Sequence, residues 1–156
     1  VEDSNGGYEF FNDLCQRHGI ECLSAHGNGN VFALLRELEA QTVLVIVDGA
    51  AFGQQMERVL SLRKIKKIIL YLPESFEWII LRSGLIEEVH TIMEHPAEHI
   101  ESSEYYTWKR FFTKLLTEST QGSHLKYSKS KLNESYLQAH ESGKIMSVIP
   151  RIEWKD

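Results

Sequence analysis

The sequence predicts an α/β fold in three layers, with helices on both faces of a mostly parallel sheet and a helical extension toward the C-terminus. Two observations predict it. As far as Pro73, short β-branched runs alternate with amphipathic stretches of helical length. Beyond Pro73, amphipathic stretches follow one another directly. Because crossovers between parallel strands are right-handed, the helices of the first part are expected on both faces of the sheet.

The first helix is expected at Tyr8–His18, where apolar residues recur at helical spacing and Gly19 provides a C-terminal stop. Residues Ile20–Ala25 form a short strand-like run. Two glycines and two asparagines in His26–Asn30 predict a tight turn with exposed amides. The remaining elements of this part alternate in the same way and are helix Val31–Ala40, strand Thr42–Val47, helix Phe52–Leu62 and strand Lys64–Leu72.

The second part of the chain is expected to be a helical extension packed on the core. Its predicted elements are helices Glu74–Leu81, Ile86–Met93 and Ser103–Leu116, a short helix Leu132–His140 and a terminal strand or extended tail Met146–Trp154. Residues 117–131 are rich in Ser, Thr, Gly, Gln and Lys, which predicts a mobile surface loop. We therefore expect a sheet-containing core at 1–84 and the helical extension at 85–156.

Composition limits the classes of protein to consider. Of the 156 residues, 42% are hydrophobic and 25% are charged, as in ordinary globular domains. The formal charge of -5 argues against a surface built to wrap nucleic acid, so a phosphate-bearing partner would need a cation. Cys15 and Cys22 lack metal-binding spacing and are expected to be reduced core residues. The apolar runs are too short to cross a bilayer, and we expect a cytoplasmic protein.

Acidic residues follow three of the four predicted strands. The chain opens with a valine followed at once by Glu2 and Asp3, so it is expected to begin partway through its first strand, after an upstream segment or domain. Asp48 follows the third strand, and Glu74 and Glu77 follow the fourth. The carboxyl ends of parallel strands share one rim, where clustered carboxylates predict a Mg²⁺ or Mn²⁺ site. Each acid also has a simpler interpretation, as a carboxylate that stabilises the helix behind it.

The turn after the second predicted strand contributes Asn28 and Asn30 as supporting candidates at the same rim. Its amides precede a helix, as in phosphate-binding turns. It lacks the Lys-Ser/Thr of a P-loop and the GxGxxG spacing of a dinucleotide site, which favours a plain tight turn.

The same segments resemble a known family. The strings VED followed by GYEFF, SAHGNGN, VIVDGAAFG and LYLPESFEWIIL span Val1–Leu81. They resemble the Toprim-like domains of bacterial defence and mobile-element proteins, including overcoming-lysogenization-defect nucleases and RloB-type proteins. The resemblance implies a Rossmann-like sheet and acids that bind divalent metal for phosphoryl transfer. It matches Glu2 to the glutamate that ends the first strand, Asp48 to the first aspartate of an Asp-x-Asp motif, and Glu74 or Glu77 to the later acid.

Ala50 departs from this pattern, because it stands where the family has its second aspartate. The missing ligand would come from elsewhere, with Asp3 and Glu77 as candidates. The resemblance implies catalytic roles for Glu2 and Asp48 in metal-dependent chemistry on nucleic acid or a nucleotide. Ala50 and the net negative charge favour the alternative, a non-catalytic interaction or regulatory domain that binds a protein partner within a larger defence or mobile-element protein.

Overall fold

The structure is a computed structural model that describes residues 1–2, 5–49, 52–53, 56–101 and 107–151. The chain divides into two compact units, Val1–Pro73 and Glu74–Arg151. The division falls at Pro73 and not at the predicted residue 84, because the helix that follows Pro73 packs with later helices of the second unit. The fold class is mixed α/β, and within the described residues the paired strands belong to the first unit.

From its second helix onward the first unit alternates helices and strands in the predicted order, whereas Ile20–Ala25, predicted as a strand, contains no regular strand. The helices and strands of this unit are α1 (Gly6–Arg17), α2 (Val31–Glu37), β1 (Thr42–Ile46), α3 (Met56–Ser61) and β2 (Lys67–Tyr71). Short 3-10 turns at Asn28–Asn30 and Leu62–Lys64 precede α2 and β2. The predicted helix from Phe52 to Leu62 is shorter than expected, since α3 begins at Met56.

The two strands are adjacent and parallel, with a register that runs from Thr42 opposite Lys67 to Ile46 opposite Tyr71. Apolar side chains from α2, α3 and both strands fill the core of this unit. Its most buried members are Val31, Leu35, Val45, Val47, Phe52, Val59 and Ile68. The β-branched run that predicts β1 therefore corresponds to a strand whose carboxyl end is inside the core.

Val1 and Glu2 lie between two other segments and hydrogen-bond to both. The Val1 ammonium donates to the Leu23 carbonyl at 2.9 Å, and the Ala25 amide donates to the Val1 carbonyl at 2.8 Å. The Glu2 amide donates to the carbonyl of Ile46 at 3.0 Å. Val1 thus bonds to the segment on one side and the Glu2 amide to β1 on the other, as successive residues of a strand do between two parallel neighbours. The predicted strand at Ile20–Ala25 is therefore an extended segment, and its pairing with another segment in the described part of the chain is with Val1.

The end of α1 shows why Gly19 stops the helix. Gly19 has φ of +68°, a backbone conformation that side chains other than glycine rarely adopt. In this conformation the amide of Ile20 donates to the Cys15 carbonyl at 2.8 Å, and the Gly19 amide donates to the Gln16 carbonyl at 3.2 Å. These two hydrogen bonds satisfy carbonyls that the helix end leaves open. The predicted stop is confirmed.

The described part of the second unit consists of helices and turns. They are α4 (Phe76–Arg82), α5 (His90–Glu94), α6 (Pro96–Glu101), α7 (Trp108–Ser119) and α8 (Ala139–Val148), with 3-10 turns at Glu87–Val89 and Glu134–Leu137. α4 packs against α7 and α8, and one side chain from each, Ile79, Leu116 and Ile145, is fully buried. No helix in the described stretches of the chain is both long and apolar enough to cross a membrane.

Two predictions for this unit are wrong in part. The strand or tail expected from Met146 is the last turn of α8, because Ile145 belongs to the buried face of a helix; residues 152–154 lie outside the described residues. The surface loop expected at 117–131 begins as the end of α7 and then turns inward at Thr120, Leu125 and Tyr127, which are buried. The hydroxyl of Thr120 accepts a hydrogen bond from the Tyr127 amide at 2.9 Å, which satisfies a buried backbone group.

Candidate functional site

Two of the predicted acids meet where adjacent strands of the first unit end. The carboxylate Oε2 of Glu2 accepts a hydrogen bond from the backbone amide of Asp48 at 2.8 Å. Both residues are partly buried, and 46 positions of sequence separate them. The contact forms because Glu2 pairs with the end of β1 and Asp48 leaves that strand two residues after its last member, Ile46. A hydrogen bond from an amide to a carboxylate is charge-assisted and fixes the orientation of the acid.

The main chain of Glu2 also contacts the turn that carries the asparagine candidates. The Gly27 amide donates to the Glu2 carbonyl at 2.8 Å. Positive φ angles occur at His26, with +56°, and at Gly27, with +120°. The side chain of Asn30 donates to the His26 carbonyl at 3.0 Å, and the hydroxyl of Ser24 accepts from the His26 amide at 3.1 Å. Asn30 therefore holds the turn in shape through this contact.

Asn28 begins the 3-10 turn that leads into α2. The predicted tight turn is confirmed, although the left-handed residues are His26 and Gly27 and not the asparagines. Because α2 spans only Val31–Glu37, its dipole is short, and the turn is a structural feature of the rim.

Gly49 brings the backbone after β1 against the backbone after β2. Its amide donates to the Pro73 carbonyl at 2.8 Å. A Cβ atom on Gly49 would lie 3.0 Å from the carbonyl oxygen of Leu72, which is closer than side-chain carbons normally approach backbone. This close approach of the two backbones explains why a glycine follows Asp48.

Glu77 and Glu74 lie in the second unit. Glu77 is only 5% exposed, and its Oε1 accepts a hydrogen bond from the hydroxyl of Tyr127 at 2.8 Å. Ser75 caps α4 by accepting from the Trp78 amide at 3.1 Å, so the cap is the serine and Glu74, which is half-buried, precedes it. The carboxylate of Glu77 is thus a buried hydrogen-bond acceptor inside the helical unit. The metal-binding role given to Glu74 and Glu77 remains a prediction.

The remaining acid, Asp3, lies outside the described residues, as does Ala50. Within the described residues, no group of three or more His, Cys, Asp or Glu side chains is arranged to hold a metal ion. The structure joins the Glu2 carboxylate to the backbone amide of Asp48, so it orients one carboxylate at this rim. One carboxylate can be enough for Mg²⁺, which keeps several waters and is commonly held by one or two carboxylates plus substrate phosphates.

Cys15 and Cys22 are both expected in the core from the sequence. The structure shows that they also contact each other. Both are free thiols, partly buried, and their side chains hydrogen-bond to each other. They line a cavity of about 270 Å³ in the first unit. Burial raises the pKa of Cys22 to about 11, and Cys15 adds to this rise. Burial also raises the pKa of Cys15, against the opposing effect of its hydrogen bond with Cys22.

The first unit therefore combines two parallel strands with the Glu2 carboxylate, which the amide of Asp48 holds just after β1. No family model, curated protein or solved structure matches the chain. The most specific chemical feature of the site is the Glu2 carboxylate held by the Asp48 amide.

Proposed function

We propose that the first unit is a Toprim-like domain with a three-layer sheet, which binds Mg²⁺ or Mn²⁺ and recognises or cleaves nucleic acid or a nucleotide. The observation that carries this proposal is the contact between the Glu2 carboxylate and the Asp48 amide. It supports the expectation that distant acids converge at the carboxyl ends of parallel strands, the usual position of ligand sites in such sheets. A cytoplasmic location would suit such a substrate.

The two acids have different roles in this proposal. Asp48 is the main ligand of the cation. Glu2 is a second ligand or the group that accepts a proton from water, and its hydrogen bond with the Asp48 amide keeps it oriented. A bound divalent cation would neutralise phosphate oxygens and lower the pKa of an attacking water. Asp3, Glu74, Glu77 and Asn28 remain candidates by sequence position alone, and Asn30 supports the turn beside Glu2 through its hydrogen bond to His26.

The alternative function is a non-catalytic interaction or regulatory domain of a larger bacterial defence or mobile-element protein. Two observations favour it. Ala50 removes an acid from the motif at Asp48, and the described residues contain no cluster of three potential metal ligands. In this alternative the contact between Glu2 and Asp48 has a structural role, in which it joins two neighbouring segments, and takes no part in metal binding or catalysis.

Calorimetric titration of the full chain with Mg²⁺ and Mn²⁺ tests metal binding. Glu2→Gln is a suitable variant, because the glutamine carbonyl can still accept from the Asp48 amide while the charge is removed. We expect Glu2→Gln and Asp48→Asn each to weaken binding at least about tenfold, since each removes a charged oxygen ligand. Glu57→Gln, at an exposed position of α3, is the control and is expected to bind as the unmodified chain does.

A cleavage assay on single- and double-stranded DNA and RNA then separates the two functions. Metal-dependent cleavage that both Glu2→Gln and Asp48→Asn abolish would support the enzyme. Metal binding that is absent, or unaltered in both variants, would exclude the proposed site and leave the interaction domain.

A further inference from the structure

The first unit contains a gap whose width is that of one β-strand. Val1 and Glu2 hydrogen-bond to Leu23 and Ala25 on one side and to Ile46 on the other. These flanking segments are therefore held two strand spacings apart, about 9.5 Å. Directly before Val1 lies the cavity of about 270 Å³, lined by the two segments Glu21–Leu23 and Thr42–Ile46. We call this space the strand gap.

Hydrogen-bond directions in β1 show which of its backbone groups point into the strand gap. The amide of Lys67 donates to the Gln41 carbonyl at 2.7 Å, and the Val47 amide donates to the Tyr71 carbonyl at 3.2 Å. Odd-numbered residues of β1 therefore bond toward β2. Since partners alternate along a parallel strand, the backbone groups of Leu44 and Ile46 point to the opposite edge. The bond from Glu2 to the Ile46 carbonyl lies on that edge.

The walls of the strand gap are mostly apolar, although Glu2, Glu21 and Thr42 also line it. Besides the two extended segments, α1 contributes Phe11 and Cys15, and α2 contributes Leu34, Leu35 and Leu38. An apolar segment in this space would bury its own side chains and those of the walls, which is the main favourable term in strand addition. A polar segment would lose hydration there without a matching gain.

We propose that the strand gap is a strand-addition site for an extended apolar segment that runs parallel to β1 and joins the amino end of Val1. A continuous chain fits better than a separate peptide. Two chain ends would place an ammonium and a carboxylate in an apolar space, whereas a peptide bond leaves an amide that still donates to Leu23. The residue joined to Val1 would donate to the Leu44 carbonyl and accept from the Ile46 amide. The segment would thereby fix the strand that carries Glu2.

The test compares the full chain with three N-terminal extensions attached to Val1. One is Val-Ile-Val-Ile-Val, the second is Val-Ile-Val-Ile-Pro, and the third is Ser-Gly-Ser-Gly-Ser. Proline keeps the apolar character but lacks the amide that would donate to Leu44. Three readouts apply: the urea midpoint, hydrogen exchange at the Ile46 amide, and the rate at which iodoacetamide labels Cys15 and Cys22, which line the gap.

We expect the valine-terminated extension to raise the urea midpoint and to slow Ile46 exchange and thiol labelling at least about tenfold. The proline-terminated extension should raise the midpoint less, and Ser-Gly-Ser-Gly-Ser should leave all three readouts as in the chain that starts at Val1. Equal readouts for the valine and Ser-Gly extensions would overturn the proposal. Aggregation of the apolar extension with thiol labelling unchanged would overturn it as well, because the segment would then lie on the surface. The result does not depend on metal binding.

Discussion

Gly49 lies where the ends of two neighbouring strands come closest, so its substitution tests the packing at the rim. Gly49→Ala places a methyl group 3.0 Å from the Leu72 carbonyl oxygen, a backbone atom that can move only with its strand. We expect the free energy of unfolding to fall by about 1–3 kcal/mol, as for other overpacked sites. Urea denaturation followed by circular dichroism measures it.

Gly53→Ala is the matched control for this prediction. A Cβ atom at Gly53 meets nothing within 4 Å, and the residue is exposed. We expect a change within about 0.5 kcal/mol. Equal effects of the two substitutions would show that Gly49 is not confined by the backbone at Leu72.

The thiol of Cys22 is expected to react slowly because its burial favours the neutral form. Burial raises its pKa from 9.0 to about 11, so at pH 8 its thiolate fraction is about 100-fold smaller than that of an ordinary thiol. In the Cys15→Ala variant burial still raises the pKa of Cys22, although without the contribution of Cys15, so labelling by iodoacetamide should keep rising above pH 9. In urea-unfolded chain the rate should level off near pH 9. A plateau near pH 9 in the folded chain would contradict the prediction.

At the scale of residues, the sequence predicts the Glu2–Asp48 contact better than it predicts the surroundings of Glu77. Asp48 follows a β-branched run and Glu2 is expected at the end of the first strand, and parallel strands that end at one rim bring such residues together. Glu77 follows a strand as well, yet its partner is Tyr127, 50 positions later in a segment with loop composition. No local pattern specifies that pairing, because tertiary packing of the helical unit creates it.

At the scale of elements, replacement of glycine by alanine is expected to change the stability of the chain in opposite directions at two positions. Gly19 ends α1 with φ of +68°, whereas Gly143 lies inside α8, and neither has an atom within 4 Å of an added Cβ. Gly19→Ala should destabilise the chain by about 1–2 kcal/mol, the cost of a left-handed backbone for alanine. Gly143→Ala should stabilise it by about 0.5–1 kcal/mol through helix propensity.

Thermal or urea unfolding of the two variants measures this difference in sign. Stabilisation by Gly19→Ala would mean that α1 does not end in the hydrogen-bonded turn at Gly19. Destabilisation by Gly143→Ala would mean that α8 is not helical at that position.

Elements with strong local signals are the ones that the sequence predicts well. β1 follows from an unbroken β-branched run, and α1 follows from apolar periodicity that ends at Gly19. α6 was not predicted, because Pro96 suggests a break; proline instead occupies the first helical position, where no amide donor is needed. The sequence predicts a strand or extended tail from Met146 and not the end of α8, since the buried face of this helix depends on contacts with α4. Tertiary contacts of this kind join residues that are distant in sequence, so a short stretch of sequence does not reveal them.

At the scale of the whole molecule, the formal charge of -5 opposes any partner that carries phosphates. Binding of nucleic acid at the proposed site therefore needs a cation that bridges its carboxylates and the phosphate oxygens. We expect a fluorescent single-stranded DNA to bind in the presence of Mg²⁺, and EDTA to raise the Kd at least about tenfold. Fluorescence anisotropy measures the Kd with Mg²⁺ and the Kd with EDTA. The ionic strength is kept constant so that salt screens the charges of the protein and the DNA equally in both measurements.

Substitution of Asp48 distinguishes metal-mediated DNA binding from general electrostatics, because the two predict opposite changes in DNA affinity. Asp48→Asn makes the chain less negative, so simple repulsion predicts tighter DNA binding, whereas loss of a cation ligand predicts weaker binding in Mg²⁺. Glu57→Gln makes the same change in charge at an exposed position of α3. We expect Asp48→Asn to weaken Mg²⁺-dependent binding at least about tenfold and Glu57→Gln to leave it unchanged or slightly tighter. Tighter binding by both variants would show that charge alone governs the interaction and that Asp48 holds no cation.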